Sequence, residues 1–480
     1  MKNTTYTISV LSEMLKNKEI SSVELTNDYF KAIDEKDGSI GSYISNTKDL
    51  AMSQAKKSDE IIAKGEQSIL TGIPCAIKDN ICTKGVNTTC ASKMLEDFIP
   101  PYDAFVMDKL NAQNIVMLGK LNMDEFAMGS STENSYFKKT HNPRNLEYVP
   151  GGSSGGSAAV VASNQAVFSL GSDTGGSIRQ PASFCGVVGM KPTYGSVSRN
   201  GLIAFASSLD QIGPVTKDVR DSAIVMNAIA GHDRKDSTSI NREYQDFTTD
   251  IGKSVKGLNI ALPKEYFGDG ISDEVKQSVL DSAKILEKQG ANIVEVSLPS
   301  LKLALPAYYV ISSAEASSNL ARFDGIRYGY RTKEYEDLQE LYKKSRSEGF
   351  GPEVKRRIML GSFALSSGYY DAYYKKALQV RTIIMREFAE IFKTNQAILS
   401  PVAPTTAYKL GSKSSNPLEM YLGDIYSVPV NIAGLPALSI PCGIGENNLP
   451  IGMQLIGEAF SEKLLYQIAY AFESERGVLW

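Results

Sequence analysis

Gly151-Gly-Ser-Ser-Gly-Gly-Ser157 and Gly171-Ser-Asp-Thr-Gly-Gly-Ser177 are two glycine- and serine-rich turns set close together in the chain. Glycine lets a backbone take positive φ or approach a neighbour closely, and serine satisfies local hydrogen bonds. Between and after them, Ser157 to Asn164 reads as a small-residue helix and Ala166 to Ser172 as a buried strand. Gly176 to Phe184 then reads as a turn entering a helix. A strand that turns through glycines into a helix is the unit of an α/β fold, and it gathers backbone N–H groups at one point.

The same alternation extends in both directions. Ser21-Ser-Val-Glu24 is a capping box opening a helix to about Asp34, and Thr47 to Lys64 is a second helical run closed by Gly65. Gly72 to Lys78 and Asn114 to Lys120 have strand character on either side of a helical stretch from Tyr102 to Gln113. Later come Leu258-Asn-Ile-Ala-Leu-Pro263, a helix from Ser272 to Gln289, Ala291 to Pro299, a long helix from Tyr369 to Lys393, and Ala397 to Pro404. The pattern predicts an α/β fold around a central sheet. No repeat, low-complexity tract or Pro/Gly/Ser linker divides the chain, so 1–480 reads as one domain with a loop-rich insertion near 230 to 250.

Composition narrows the function. At 480 residues and 42% hydrophobic content the chain can bury a large core. Its 51 basic and 54 acidic side chains give a net charge of -3, without the basic footprint of a protein that holds nucleic acid by itself. The N-terminus lacks an apolar signal-like run and no stretch is long enough to span a bilayer, which predicts a soluble, cytoplasmic protein. Five scattered cysteines without CxxC spacing argue for reduced thiols rather than disulfides or a zinc site. Only two histidines, His141 and His232, are present, so the chemistry calls for another base.

Several sites could use such turns. A phosphate cradle is weakly supported, because neither turn carries Gly-Lys-Ser/Thr or GxGxxG. Gly151 to Gly155 matches the GxSxG nucleophile elbow, but that arrangement needs a histidine downstream and only His232 lies there. Ser45, Ser53 and Ser135 each begin an SxxK match with no Lys-Thr-Gly to follow. Tightly packed turns with no chemistry are the plain alternative. Lys78, at the end of an apolar strand, could be a snorkelling or ion-paired residue. Buried among polar groups, its pKa would fall from about 10.4 to about 7, roughly 4 to 5 kcal/mol of differential desolvation. A neutral lysine could then deprotonate one serine through another while glycine-turn amides stabilise an oxyanion. Ser177, where strand turns to helix, can project outward, with Ser153 as the bridge.

Lys78 in Ala76-Ile-Lys-Asp-Asn80, Ser153 in the stretch Pro150 to Ala159 and Ser177 in the stretch Gly171 to Gly186 resemble the Ser-cisSer-Lys triad of the amidase signature family. The resemblance implies a central mixed twisted sheet flanked by helices on both faces, with 1–65 as an N-terminal helical segment, 66–220 as the signature core and 221–480 as the remainder. It also implies Ser177 as nucleophile, Ser153 as bridging serine with a cis peptide at its bond, Lys78 as base, and the amides of Thr174, Gly175, Gly176 and Ser177 as oxyanion hole.

Gly119 to Ser135, Asn200 to Pro214 and Tyr421 to Pro441 are similar, within that family, to the A subunits of tRNA-dependent amidotransferases. This narrower resemblance implies hydrolysis of glutamine and delivery of ammonia to a B subunit, which activates misacylated Glu-tRNA(Gln) or Asp-tRNA(Asn) with ATP and Mg2+. A small C subunit would clamp the pair, and no cofactor or metal belongs to this chain. Glutamine calls for an acid facing its α-ammonium and a base facing its α-carboxylate. By resemblance these are Asp424 and Arg357, with Tyr308 nearby. Read by themselves, Asp424 could cap a helix, Arg356 and Arg357 could form a solvated face, and Tyr308 or Tyr309 could be core. Ser196 stands where the family commonly has arginine, which bears on local ion pairing. Asp124 and Glu125 read as structural or partner-facing rather than as a catalytic pair.

Overall fold

A computed structural model describes residues 2–413, 417–477 and 479. Among them, eleven strands form a single sheet: β1 (Tyr43–Asn46), β2 (Pro74–Lys78), β3 (Val116–Leu121), β4 (Phe168–Asp173), β5 (Val188–Lys191), β6 (Gln211–Thr216), β7 (Asn259–Pro263), β8 (Asn292–Val296), β9 (Ala397–Pro401), β10 (Ala437–Ile444) and β11 (Pro450–Ile456). Their order is β1-β3-β2-β4-β6-β5-β10-β11-β9-β7-β8. The sheet is mixed: β2 pairs parallel with β3 and β4, β4 pairs antiparallel with β6, and β7 pairs parallel with β8 and β9.

Strands β2, β3 and β4 are buried along their whole length, as continuous apolar runs are when both sheet faces are covered. Side-chain alternation divides the core in two. Ile260, Leu399, Leu438 and Leu455 enter one cluster beneath the helices Ser22–Ile40, Val219–Ile229 and Glu462–Arg476. Their neighbours Ala261, Ile398, Ala437 and Ile456 enter the other, beneath Ala304–Asn319, Pro352–Leu365 and Lys376–Phe392. The expected α/β architecture is the one observed.

Local signals held where chemistry fixed them. The Ser21 hydroxyl accepts from the Glu24 amide at 3.1 Å, and the Glu24 carboxylate accepts from the Ser21 amide at 2.9 Å. That helix runs on to Ile40, past the expected Asp34, until Gly41 at φ 73° stops it. The long helix expected from Tyr369 begins as a π-turn at Asp371–Lys375 and becomes α-helical at Lys376–Phe392. No regular element lies between Ile229 and Asn259, where the insertion was expected.

What positions the site is the register of β2 against β4, with Ile77 opposite Leu170. The two parallel strands therefore release Lys78 and Asp173 at the same edge. Carboxyl ends of parallel strands are where α/β sheets open a crevice.

Candidate active site

Lys78 is fully buried, yet among the described residues its ammonium meets no carboxylate at ion-pair distance. Nζ donates to Ser153 Oγ and Ser154 Oγ at 2.8 Å each, to Ser172 Oγ at 3.0 Å and to the Ser172 carbonyl at 3.3 Å. Burial pushes its pKa down to about 7, against the weaker pull of Asp124 and Asp173. The lysine is thus surrounded by hydroxyls able both to accept from an ammonium and to donate to an amine.

The first glycine turn supplies two of these hydroxyls. The Gly152–Ser153 peptide is cis. A Cβ at Gly152 would lie 2.1 Å from Asp124 Oδ2, so only glycine lets the turn come this close. Asp124 accepts from the amides of Thr132 at 2.9 Å, Asn134 at 3.2 Å and Ser131 at 3.3 Å, folding the adjacent loop, and burial raises its pKa to about 6. Glu125 accepts from Ser92 Oγ and, at 2.8 Å, from the Gly351 amide. Both acids are buried and hold loops together, the structural half of the expectation.

In the second turn, Asp173 does the folding. It accepts from the Gly176 amide at 2.8 Å, the Ile178 amide at 3.1 Å, Asn431 Nδ2 at 2.8 Å, and Arg179 Nε and Nη2 at 3.1 and 3.2 Å. Burial works to raise its pKa, but the charge and hydrogen bonds of Arg179, the Lys191 charge and the Asn431 hydrogen bond together outweigh it and hold the carboxyl well below the usual range. The Gly176 amide, expected to join those of Thr174, Gly175 and Ser177 in an oxyanion hole, thus donates to Asp173. Among the described residues, the Thr174, Gly175 and Ser177 amides have no protein acceptor. Ser177 Oγ likewise has none and is slightly exposed. The Ser177 carbonyl accepts from the Ser154 amide at 3.1 Å, which joins the two turns through the backbone. Lys78 and Ser153 are in direct contact, whereas the Ser153 and Ser177 hydroxyls are not hydrogen-bonded to each other.

Beyond Ser177 lies a narrow cleft, lined by Ser130, Gly175, Ser177, Tyr308, Tyr309, Arg357 and Asp424 among others. Asp424 does not cap a helix with its side chain; the carboxylate accepts from Tyr309 OH at 2.9 Å and from Ser130 Oγ at 3.1 Å. Burial raises it to about 7, and those two hydrogen bonds restrain the rise. The Arg357 guanidinium lies against the stacked pair of Tyr309 and Tyr421, 4.5 and 4.7 Å from their ring centroids. Arg356 is part exposed and pairs with Glu353, so the cleft takes Arg357 and not its neighbour. Tyr308 and Tyr309 both line it, and Tyr308 packs so tightly that a Cβ at Gly175 would come within 2.6 Å of its ring.

Ser130, Ser154 and Ser172 were not foreseen from the sequence, while Tyr309 was left open as the alternative to Tyr308. Ser154 was visible as the second hydroxyl of the quoted turn, but which hydroxyls face a lysine depends on strand register. Ser196 is buried and hydrogen-bonds Glu462 at 3.3 Å, a neutral contact in place of an ion pair. Neither histidine lines the cleft: His141 Nδ1 and His232 Nδ1 contact the carbonyls of Leu146 and Ser239.

A family model described as amidase matches residues 24–466. The chain belongs to the amidase family. Among its relatives, this amidase is 59% identical over 467 residues to the A subunit of the glutamyl-tRNA(Gln) amidotransferase of Thermoanaerobacter pseudethanolicus, with 97% of this chain and 96% of the relative covered. It is 60% identical over 469 residues to the A subunit of the same name from Staphylococcus epidermidis, covering 98% and 96%. The crystal structure of the A subunit of the glutamyl-tRNA(Gln) amidotransferase from Thermotoga maritima superposes with a TM-score of 0.82 at 43% identity, covering 98% of this chain and 95% of that one. The peptide amidase of Stenotrophomonas maltophilia has the same TM-score at 29% identity, covering 98% and 96%. Among the described residues no helix is long and apolar enough to cross a membrane.

Proposed function

We propose that this amidase is the glutamine-hydrolysing subunit of a tRNA-dependent amidotransferase. The observation that carries the reading is a fully buried lysine, with its pKa drawn down to about 7, 2.8 Å from Ser153 beside a glycine-rich turn that presents Ser177 to the cleft. The names of its relatives direct the chemistry to glutamine and tRNA.

In this reading the substrate lies with its α-ammonium toward Asp424 and its α-carboxylate toward Arg357, and Tyr308 walls the cleft. Neutral Lys78 takes the proton of Ser153 as Ser153 takes that of Ser177, and Ser177 Oγ forms a bond to the side-chain carbonyl carbon. The new oxyanion lies among the free amides of Thr174, Gly175 and Ser177. The proton returns along the same relay to the departing nitrogen, the C–N bond breaks, and ammonia leaves a glutamyl ester on Ser177. Water, deprotonated by the same base, then releases glutamate.

Ammonia would pass to a B subunit that binds misacylated Glu-tRNA(Gln) or Asp-tRNA(Asn) and activates it with ATP and Mg2+, with a small C subunit holding the two together. A net charge of -3 suits a chain that leaves tRNA to its partner. A cytoplasmic location follows from that role. The structural likeness to a peptide amidase supports a second reading, a free-standing amidase acting on another small amide. Copurification with a B-type subunit, followed by an assay of glutamine-dependent tRNA amidation, separates the two. Amidation that requires both chains is expected; strong amide hydrolysis indifferent to tRNA and to the B subunit would favour the second reading.

A further inference from the structure

Arg357 reaches the cleft with one side of its guanidinium already occupied. Nε donates to Glu353 Oε1 at 2.7 Å, one helical turn back in Pro352–Leu365, and the same oxygen accepts from Tyr421 OH at 2.7 Å. The other oxygen of Glu353 pairs with Arg356. Tyr421 in turn stacks on Tyr309, centroids 4.1 Å apart, and Tyr309 OH donates to Asp424 at 2.9 Å. Arg357 Nη1 is buried and has no hydrogen-bond partner among the described residues. A buried guanidinium N–H without an acceptor is costly, so it marks the place where a ligand oxygen would sit.

We propose that Glu353 is a positioning residue for substrate recognition. It fixes the rotation of the Arg357 fork so that Nη1 faces the α-carboxylate of the substrate, and through Tyr421 it holds the aromatic wall that separates this cationic pole from Asp424. Two donors converge on one oxygen of Glu353, so its role needs an acceptor at that point, and a carboxamide oxygen can provide one. Arg357 without that acceptor would keep its charge but lose its aim, because a guanidinium binds a carboxylate as a planar fork. This inference rests on the reading of the cleft as a glutamine site.

The test compares glutamine with its α-carboxamide analogue, which lacks the carboxylate, on the enzyme copurified with its partners. Ammonia release is measured for the wild type, Glu353→Ala and Glu353→Gln. Glu353→Ala is expected to raise KM for glutamine about tenfold or more, a loss of roughly 1.4 kcal/mol, with a much smaller change in kcat. It should leave kcat/KM for the analogue nearly unchanged, and Glu353→Gln should recover most of the glutamine KM. Equal losses on both substrates, an unchanged KM, or no recovery by Gln would each overturn the positioning role. A wild type that fails to distinguish glutamine from the analogue would instead overturn the glutamine-site reading. If Glu353→Ala does not fold, Glu353→Gln and Glu353→Asp carry the comparison: Asp withdraws the acceptor by one methylene and should raise KM for glutamine alone, while Gln should not.

Discussion

Lys78 and Lys120 stand on adjacent parallel strands, β2 and β3, and both are completely buried. Their surroundings differ in kind. Lys120 Nζ donates to the Ile81 carbonyl at 2.5 Å, Thr88 Oγ1 at 3.0 Å and Thr83 Oγ1 at 3.3 Å, with Asp79 3.9 Å away. Lys78 Nζ faces Ser153, Ser154 and Ser172, and among the described residues no carboxylate lies within ion-pair distance. Burial lowers the pKa of both, and the Asp79 charge opposes it at Lys120. An ammonium beside a counter-ion is a tie between loops. One among hydroxyls can lose its proton to become a base. Burial alone does not make a lysine catalytic; the partners decide.

The largest effect that separates the two is expected from Lys78→Met. It should lower ammonia release from glutamine by at least about 10^3-fold, because both base and relay are lost. Lys120→Met should leave kcat per folded molecule far closer to wild type. It strips buried Asp79 of its counter-ion and the Ile81 carbonyl of its shortest hydrogen bond, so it should cost stability, about 3 to 5 kcal/mol, seen in thermal or urea unfolding. If Lys120→Met lost activity without losing stability, the contrast between the two lysines would collapse.

The sequence made Lys78 legible and Lys120 almost invisible, for a physical reason. Lys78 ends an apolar strand and is accompanied by two glycine-serine turns, so its chemistry had visible partners. Lys120 acquires its acceptors from Ile81, Thr83 and Thr88, which come together only because β2 and β3 pair and the loop after β2 folds back. The same applies to the amides near Ser177. Their number could be read from the chain, but the diversion of the Gly176 amide to Asp173 depends on Arg179 and Asn431, the latter far along the chain. The alternating fold was legible from β2 to β4. The helices Ala304–Asn319 and Pro352–Leu365, which carry Tyr308, Tyr309, Glu353 and Arg357, were not outlined by pattern, since tertiary packing sets their buried stripes.

The pH dependence sharpens the comparison further. With Lys78 and Asp424 both titrating near 7, and both needed without their protons, kcat/KM should rise by between about tenfold and a hundredfold per pH unit below that point and level off above it. Stability should shift as well. Lys78 has a folded pKa of about 7 against an ordinary 10.5, so between these values the unfolded chain binds more protons and stability rises with pH. Lys78→Met removes this contribution. Its melting temperature relative to wild type should therefore be more favourable at pH 7 than at pH 10, and an offset independent of pH would contradict the shift. The smallest effect belongs to Ser154→Ala. Lys78 keeps Ser153 and Ser172, so a loss of about fivefold in kcat, near 1 kcal/mol, is expected in the ammonia assay.

Lys78 loses its ammonium proton near neutral pH rather than above pH 10, and a 13Cε-lysine NMR titration reads that loss at the residue itself. The Lys78 resonance is identified by its absence in Lys78→Met. A midpoint close to 7 is expected. A Lys78 signal that keeps its ammonium shift at pH 9 and above would contradict the account.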